Sequence, residues 1–159
     1  MSELLDDLRG FIHREARLLD QRRFADWLAL YSDEATYWIP RQRGQRDAVG
    51  VPSIVYEDRS LLAIRVARLA DPAMHAAAPA IHTVHVVGSV DPEPVDSATQ
   101  DYRVISSQLV VASREAETRL YAGQCEHLLR RQSGTFTILR KRFDLVDCDA
   151  VRSPMPILL

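Results

Sequence analysis

The stretch Gln100-Asp101-Tyr102-Arg103-Val104-Ile105-Ser106-Ser107-Gln108-Leu109-Val110-Val111-Ala112-Ser113 decides the fold. Its β-branched residues alternate with polar ones, the pattern of a long strand. Residues 118–131 repeat the pattern, Ser133-Gly134 marks a turn, and residues 135–146 carry it once more. Upstream, residues 81–90 are rich in valine and predict a further strand, ended by Asp91-Pro92-Glu93-Pro94. Long extended segments joined by short connections predict an antiparallel meander that twists around a helical layer.

That helical layer is written before residue 81. Leu4, Leu5, Leu8, Phe11, Ile12, Leu18 and Leu19 recur mostly at three- and four-residue spacings, with Arg9, Arg14, Glu15 and Arg17 between them. The spacing predicts an amphipathic first helix, although Gly10 inside it costs about 1 kcal/mol relative to alanine. Residues 24–31 predict a second, short helix stopped by Ser32-Asp33-Glu34, and residues 35–40 a short strand ended by Pro40. Residues 41–50 are polar, hold two glycines and predict a loop. Ile54, Leu61, Leu62, Ile64, Val66 and Leu69 predict a third helix over residues 57–70, closed by Asp71-Pro72. Helices first and strands after, without βαβ alternation, define an α+β class: N-terminal helices packed on a strongly curved, mainly antiparallel β-sheet. Residues 1–150 form one domain. Residues 151–159 form an extended apolar tail, straightened by Pro154 and Pro156, whose large side chains must pack against something.

The chain has 159 residues, of which 47% are hydrophobic and 26% charged, with a net charge of −2. Such a chain can bury roughly 70% of its unfolded surface in one core. Apolar content of this size excludes general disorder, and the balanced charge argues against nucleic acid or an anionic membrane as partner. Cys125 and Cys148 alone are no disulfide framework and favour a reducing compartment. The acidic, amphipathic start is unlike a signal peptide, and no apolar run approaches the roughly 18 residues of a membrane helix. The expectation is a cytoplasmic domain.

The chemistry-bearing residues are few. Of the five histidines, His13, His75, His82, His85 and His127, only His82 and His85 are close in sequence. On a strand, residues three apart point to opposite faces, so one metal ion cannot readily take both. Two cysteines cannot build a four-thiolate site, and a Rieske cluster needs paired Cys-x-His and Cys-x-x-His units, of which Cys148 supplies neither. Cys125 lies two residues from His127, but a small buried residue is the better reading of it. The glycines open no phosphate-binding loop. A cone-shaped cavity lined by Tyr56, Asp58, His82, His85 and Tyr102 would suit an Asp–His proton transfer, though nothing in the sequence brings these residues together. Arginine is more distinctive: lysine occurs once, at Lys141. Arginine suits planar pairing at partly desolvated contacts, which points to a protein partner.

Longer stretches carry a resemblance. Residues 18–31 and 33–40, Ile54-Val55-Tyr56-Glu57-Asp58-Arg59, Arg65-Val66-Ala67-Arg68-Leu69, His82-Thr83-Val84-His85, Tyr121-Ala122-Gly123, Leu129-Arg130-Arg131 and Ile138-Leu139-Arg140-Lys141-Arg142 stand in order along nearly the whole chain. Together they resemble the small (β) subunit of aromatic-ring-hydroxylating dioxygenases, departing at His82, where many relatives have arginine. The resemblance implies a cone-shaped fold of the NTF2-like or SnoaL-like type. It also implies a non-catalytic role, with no cofactor in this chain. The Rieske [2Fe–2S] cluster and mononuclear Fe(II) are expected in a large (α) subunit, and three of each subunit in a hexamer with β–β contacts. The expected contact residues are Tyr37, Trp38, Arg41, Arg43, Arg46, Ile157, Leu158 and Leu159. Two other readings stand beside this one: a stand-alone dehydratase or isomerase using an Asp/His pair in the cone, and a small-ligand binding module.

Overall fold

The computed structural model describes residues 2–77, 79–96, 98–151 and 154–159, without the side chains of residues 75–77 and 96. Helix α1 (Ser2–Asp20) and the short α2 (Phe24–Leu28) precede strands β1 (Tyr31–Pro40) and β2 (Ser53–Asp58). Helices α3 (Arg59–Ala70) and α4 (Pro72–Ala77) follow, then β3 (His82–Asp96), β4 (Asp101–Arg114), β5 (Glu117–Gln132) and β6 (Thr135–Leu145). The strands form one six-stranded sheet in the order β2-β1-β6-β5-β4-β3. Every pairing is antiparallel except β1 with β6. This is the α+β, mainly antiparallel arrangement that the long extended segments predict.

Helices α1, α2 and α3 lie on one face of the sheet because the sequence gives each of them a face to bury. Leu8, Phe11, Ile12 and Leu19 of α1 are all fully buried. At about 2 kcal/mol for each large side chain, that burial outweighs the roughly 1 kcal/mol cost of Gly10. On the sheet, Val104, Val110, Cys125, Leu129, Ile138, Phe143 and Leu145 face inward and complete the core.

Tertiary pairing moves several local boundaries. The second helix stops at Leu28, short of the expected 31, because Ile138 N–H donates to Leu30 O (2.8 Å) and draws the chain into the sheet at Tyr31. Ile54, Glu57 and Asp58 belong to β2, where Tyr56 pairs with Trp38 of β1. Helix α3 therefore starts at Arg59, with Asp58 as its cap, Oδ1 accepting from Leu61 N–H at 2.9 Å. Pro72 does not simply end a helix. It opens α4, a position where its missing N–H costs nothing. Strand β3 continues through Pro92 and Pro94, with register shifts at Gly88/Asp91 and Pro94/Asp96, because β3 is a sheet edge and an edge strand tolerates proline.

The tail turns back onto the body. Met155, Ile157, Leu158 and Leu159 are buried in this chain, and Leu159 N–H donates to Tyr37 Oη at 2.9 Å. Residues 152 and 153 lie outside the described residues.

Candidate interaction surface

The sheet face away from the helices is the most unusual surface of the molecule. In antiparallel register, partnered residues point to the same side. Val84 pairs with Val111 and Val111 with Leu120; Val86 pairs with Leu109 and Leu109 with Ala122. Two apolar rows therefore cross three strands side by side. Val84 is 57% exposed, Val86 55% and Leu120 64%. Val146, 60% exposed, adjoins them through its N–H on Ala122 O. Single exposed apolar residues need no explanation, but a contiguous apolar face of this kind is a candidate docking surface.

Beside these rows the same face becomes a lattice of ion pairs. Arg103 bridges Glu126 and Glu93, each at 2.6 Å, Arg140 also reaches Glu126, and Arg142 pairs with Asp144 at 2.7 Å. The two arginines hold the Glu126 carboxylate below its ordinary pKa, although its partial burial acts in the opposite sense. Arg142 also stacks on Trp38, 4.3 Å from its ring, while Trp38 Nε1 donates to Ser53 Oγ. A groove of about 530 Å³ separates this lattice from the loop of residues 41–50. Buried Gln45 orders that loop, accepting from Arg41 N–H and Gln42 N–H and donating to Asp47 O. Arg41, Arg43 and Arg46 are consequently exposed around a fixed turn.

Inside the cone lies a cluster that the sequence analysis did not single out. Glu15 Oε1 accepts from Trp27 Nε1 at 2.6 Å and from Lys141 Nζ at 2.5 Å. His127 Nε2 is 3.5 Å from Glu15 Oε2, and Cys125 Sγ is 3.7 Å from His127 Nδ1. All of these side chains are fully buried. Burial alone would raise the Glu15 pKa, but Lys141 and His127 hold it well below the carboxylate range. For His127, burial opposes the charged ring, yet Cys125 and Glu15 raise its pKa to about 9. Groups closed off in this way hold elements together: the cluster ties α1 and α2 to the middle of the sheet.

The structure does not assemble the expected cavity constellation. Tyr56 is half exposed against Trp38, and Asp58 is committed to capping α3. His82 points outward, while His85 on the opposite face pairs with Asp20, Nδ1 to Oδ1 at 2.6 Å. Tyr102 packs against Phe136. The Asp–His pair is real but pins α1 to β3, with His85 N–H and Thr83 Oγ1 also donating to Asp20. Partial burial works against the Asp20 carboxylate, but His85 holds its pKa below the ordinary value. Among the expected contact residues, Tyr37, Ile157, Leu158 and Leu159 are buried within this chain, so their side chains present no surface here. Trp38 is covered by Arg142, and only the loop arginines stand free of the core. Among the described residues, no group of three or more His, Cys, Asp or Glu could hold a metal ion.

Helices on a curved six-stranded sheet define an NTF2-like fold. Comparison with known proteins agrees. A family model described as the ring hydroxylating beta subunit matches residues 14–152, and the chain belongs to that family. The small oxygenase component of the p-cumate 2,3-dioxygenase system of Pseudomonas putida is 29% identical over 148 residues, covering 92% of this chain and 81% of that protein. Among solved structures, the beta subunit of benzoate 1,2-dioxygenase from Burkholderia mallei superposes with a TM-score of 0.74. It is 24% identical, and the match covers 92% of this chain and 93% of that one. A chain of naphthalene 1,2-dioxygenase, solved with indole bound in the active site, reaches a TM-score of 0.85 at 16% identity. That match covers 100% of this chain and 87% of the other, and it shows the fold alone.

Proposed function

We propose that this chain is the structural, non-catalytic small subunit of the terminal oxygenase of an aromatic-ring dioxygenase, working in the cytoplasm. Its partner is a large subunit that carries the Rieske cluster and the mononuclear iron, with three copies of each in the assembly. The observation that supports this best is the double apolar row of Val84, Val111 and Leu120 beside Val86, Leu109 and Ala122. Covering such a face is favourable, and obligate interfaces cover about 2,000 Å² or more of mostly apolar area. The ion-pair lattice and the loop arginines form a polar margin of the kind that sets register between subunits. This chain would contribute buried area and geometry to the assembly, while the large subunit holds the redox iron and the aromatic substrate.

The test is co-expression with a Rieske-type large subunit, followed by native mass and iron analysis. A stable complex whose iron resides with the large subunit supports the reading. Two non-associating proteins would refute it.

A further inference from the structure

A second groove, of about 490 Å³, runs along the exposed side of α3 and is separate from the outer sheet face. Leu61, Ile64 and Met74 are each more than half exposed in it, an uncommon density of bare apolar side chains. From Leu61 to Leu69 the helix gives this apolar floor a length of about 12 Å. The charge in the groove is one-sided. Glu57 is already held by Nε and Nη2 of Arg65. Arg68 and Arg114 have no ion-pair partner among the described residues, and Arg114 Nε is buried without a hydrogen-bond acceptor. The groove thus carries two uncompensated positive charges on a protein whose net charge is −2.

Arg114 has a further property. Together with Pro156 it also lines two adjoining hollows, of about 50 and 250 Å³, so a guanidinium stands where three recesses meet. A guanidinium with no carboxylate partner among the described residues, standing at the junction of three recesses, matches a single organic anion in charge and in its paired donors.

We propose that this groove binds an amphipathic organic monoanion: a carboxylate bearing an unbranched apolar chain of about eight carbons. The carboxylate sits on Arg114 and Arg68, and the chain lies along Leu61, Ile64 and Met74. The length of the floor matches an extended chain of that size, and the charge matches a single carboxylate. The site is independent of the outer sheet face and of the role assigned to it.

The experiment is titration of the full chain with octanoate, followed by calorimetry and by chemical-shift changes, with octanamide as the neutral isostere. Octanoate should bind saturably. Octanamide should bind about tenfold more weakly or worse, because the charged hydrogen bonds are lost. Arg114→Met should weaken octanoate by a similar factor, and Ile64→Asp should abolish binding. Arg68→Met, on the exposed helix surface, gives the same reading if Arg114→Met does not fold. Equal binding of octanamide and octanoate, wild-type affinity in the arginine variants, or no saturable binding would each overturn the proposal. Failure of the Arg68→Met variant to assemble with a large subunit would also overturn it, by assigning the groove to a protein contact.

Discussion

Lys141 Nζ donates to Glu15 Oε1 at 2.5 Å across 126 residues of sequence, and neither side chain has any solvent exposure. The only lysine of the chain is therefore a core residue. Removing one member of a buried ion pair leaves an uncompensated charge, which costs about 3–5 kcal/mol. Lys141→Met and Glu15→Leu should each lower stability by about that amount in urea unfolding. The double variant should lose less than the sum of the two, since neither member of the pair is left charged without the other, although Trp27 Nε1 and His127 still lose Glu15 as a partner.

His127 makes stability depend on pH. Its folded pKa of about 9 lies above the unfolded value of about 6.5. Its contribution is therefore complete below pH 6.5 and is lost as pH rises through about 9. The urea midpoint should fall between those limits, and His127→Gln should flatten the fall. An unchanged slope in that variant would remove His127 as its source.

Gly123 is required by close backbone approach. A Cβ there would meet Asp144 O at 2.2 Å and Phe143 Cε1 at 2.8 Å. Since a backbone oxygen cannot step aside without moving β6, Gly123→Ala should cost at least about 1–3 kcal/mol. Gly134→Ala, at a turn with φ +79° and open space around it, should cost only about 1–2 kcal/mol of backbone strain. Thermal unfolding of the two variants separates a clash from a torsion.

The tail is expected to support the isolated chain. Leu159→Ala should cost about 2–5 kcal/mol through the cavity it leaves, and Tyr37→Phe about 1 kcal/mol through the lost hydrogen bond to Leu159 N–H. If the tail acted only at a subunit contact, Leu159→Ala would leave the unfolding of the lone chain unchanged.

The fold was legible because its dominant signals are long. Residues 100–146 carry enough β-branched residues to outlast any local ambiguity, and α1 shows its buried stripe directly. The errors arose where partners in space override neighbours in sequence. Residues 29–31 look like the end of a helix until β6 pairs with Tyr31, and Pro92 reads as a break until β3 is known to be an edge. The buried cluster left a faint mark: Glu15 keeps the phase of Leu8, Ile12 and Leu19, and Lys141 that of Phe143 and Leu145. A charged residue in a buried phase ordinarily counts as noise, and only the three-dimensional pairing of two such positions turns it into a signal. The outer apolar face was visible in part, since Leu109-Val110-Val111 is apolar on both sides of its strand. Its neighbours Val84 and Leu120 depend on register, which sequence alone does not supply.

The most direct measurement is the native mass of the chain co-expressed with an iron-bearing large subunit, comparing wild type with Leu109→Glu/Leu120→Glu. Both substituted positions face solvent in the lone chain, so the variant should fold and unfold as the wild type does. The expected result is a stable complex for the wild type and separate subunits for the variant. A variant that assembles as fully as the wild type would contradict the role given to the outer sheet face.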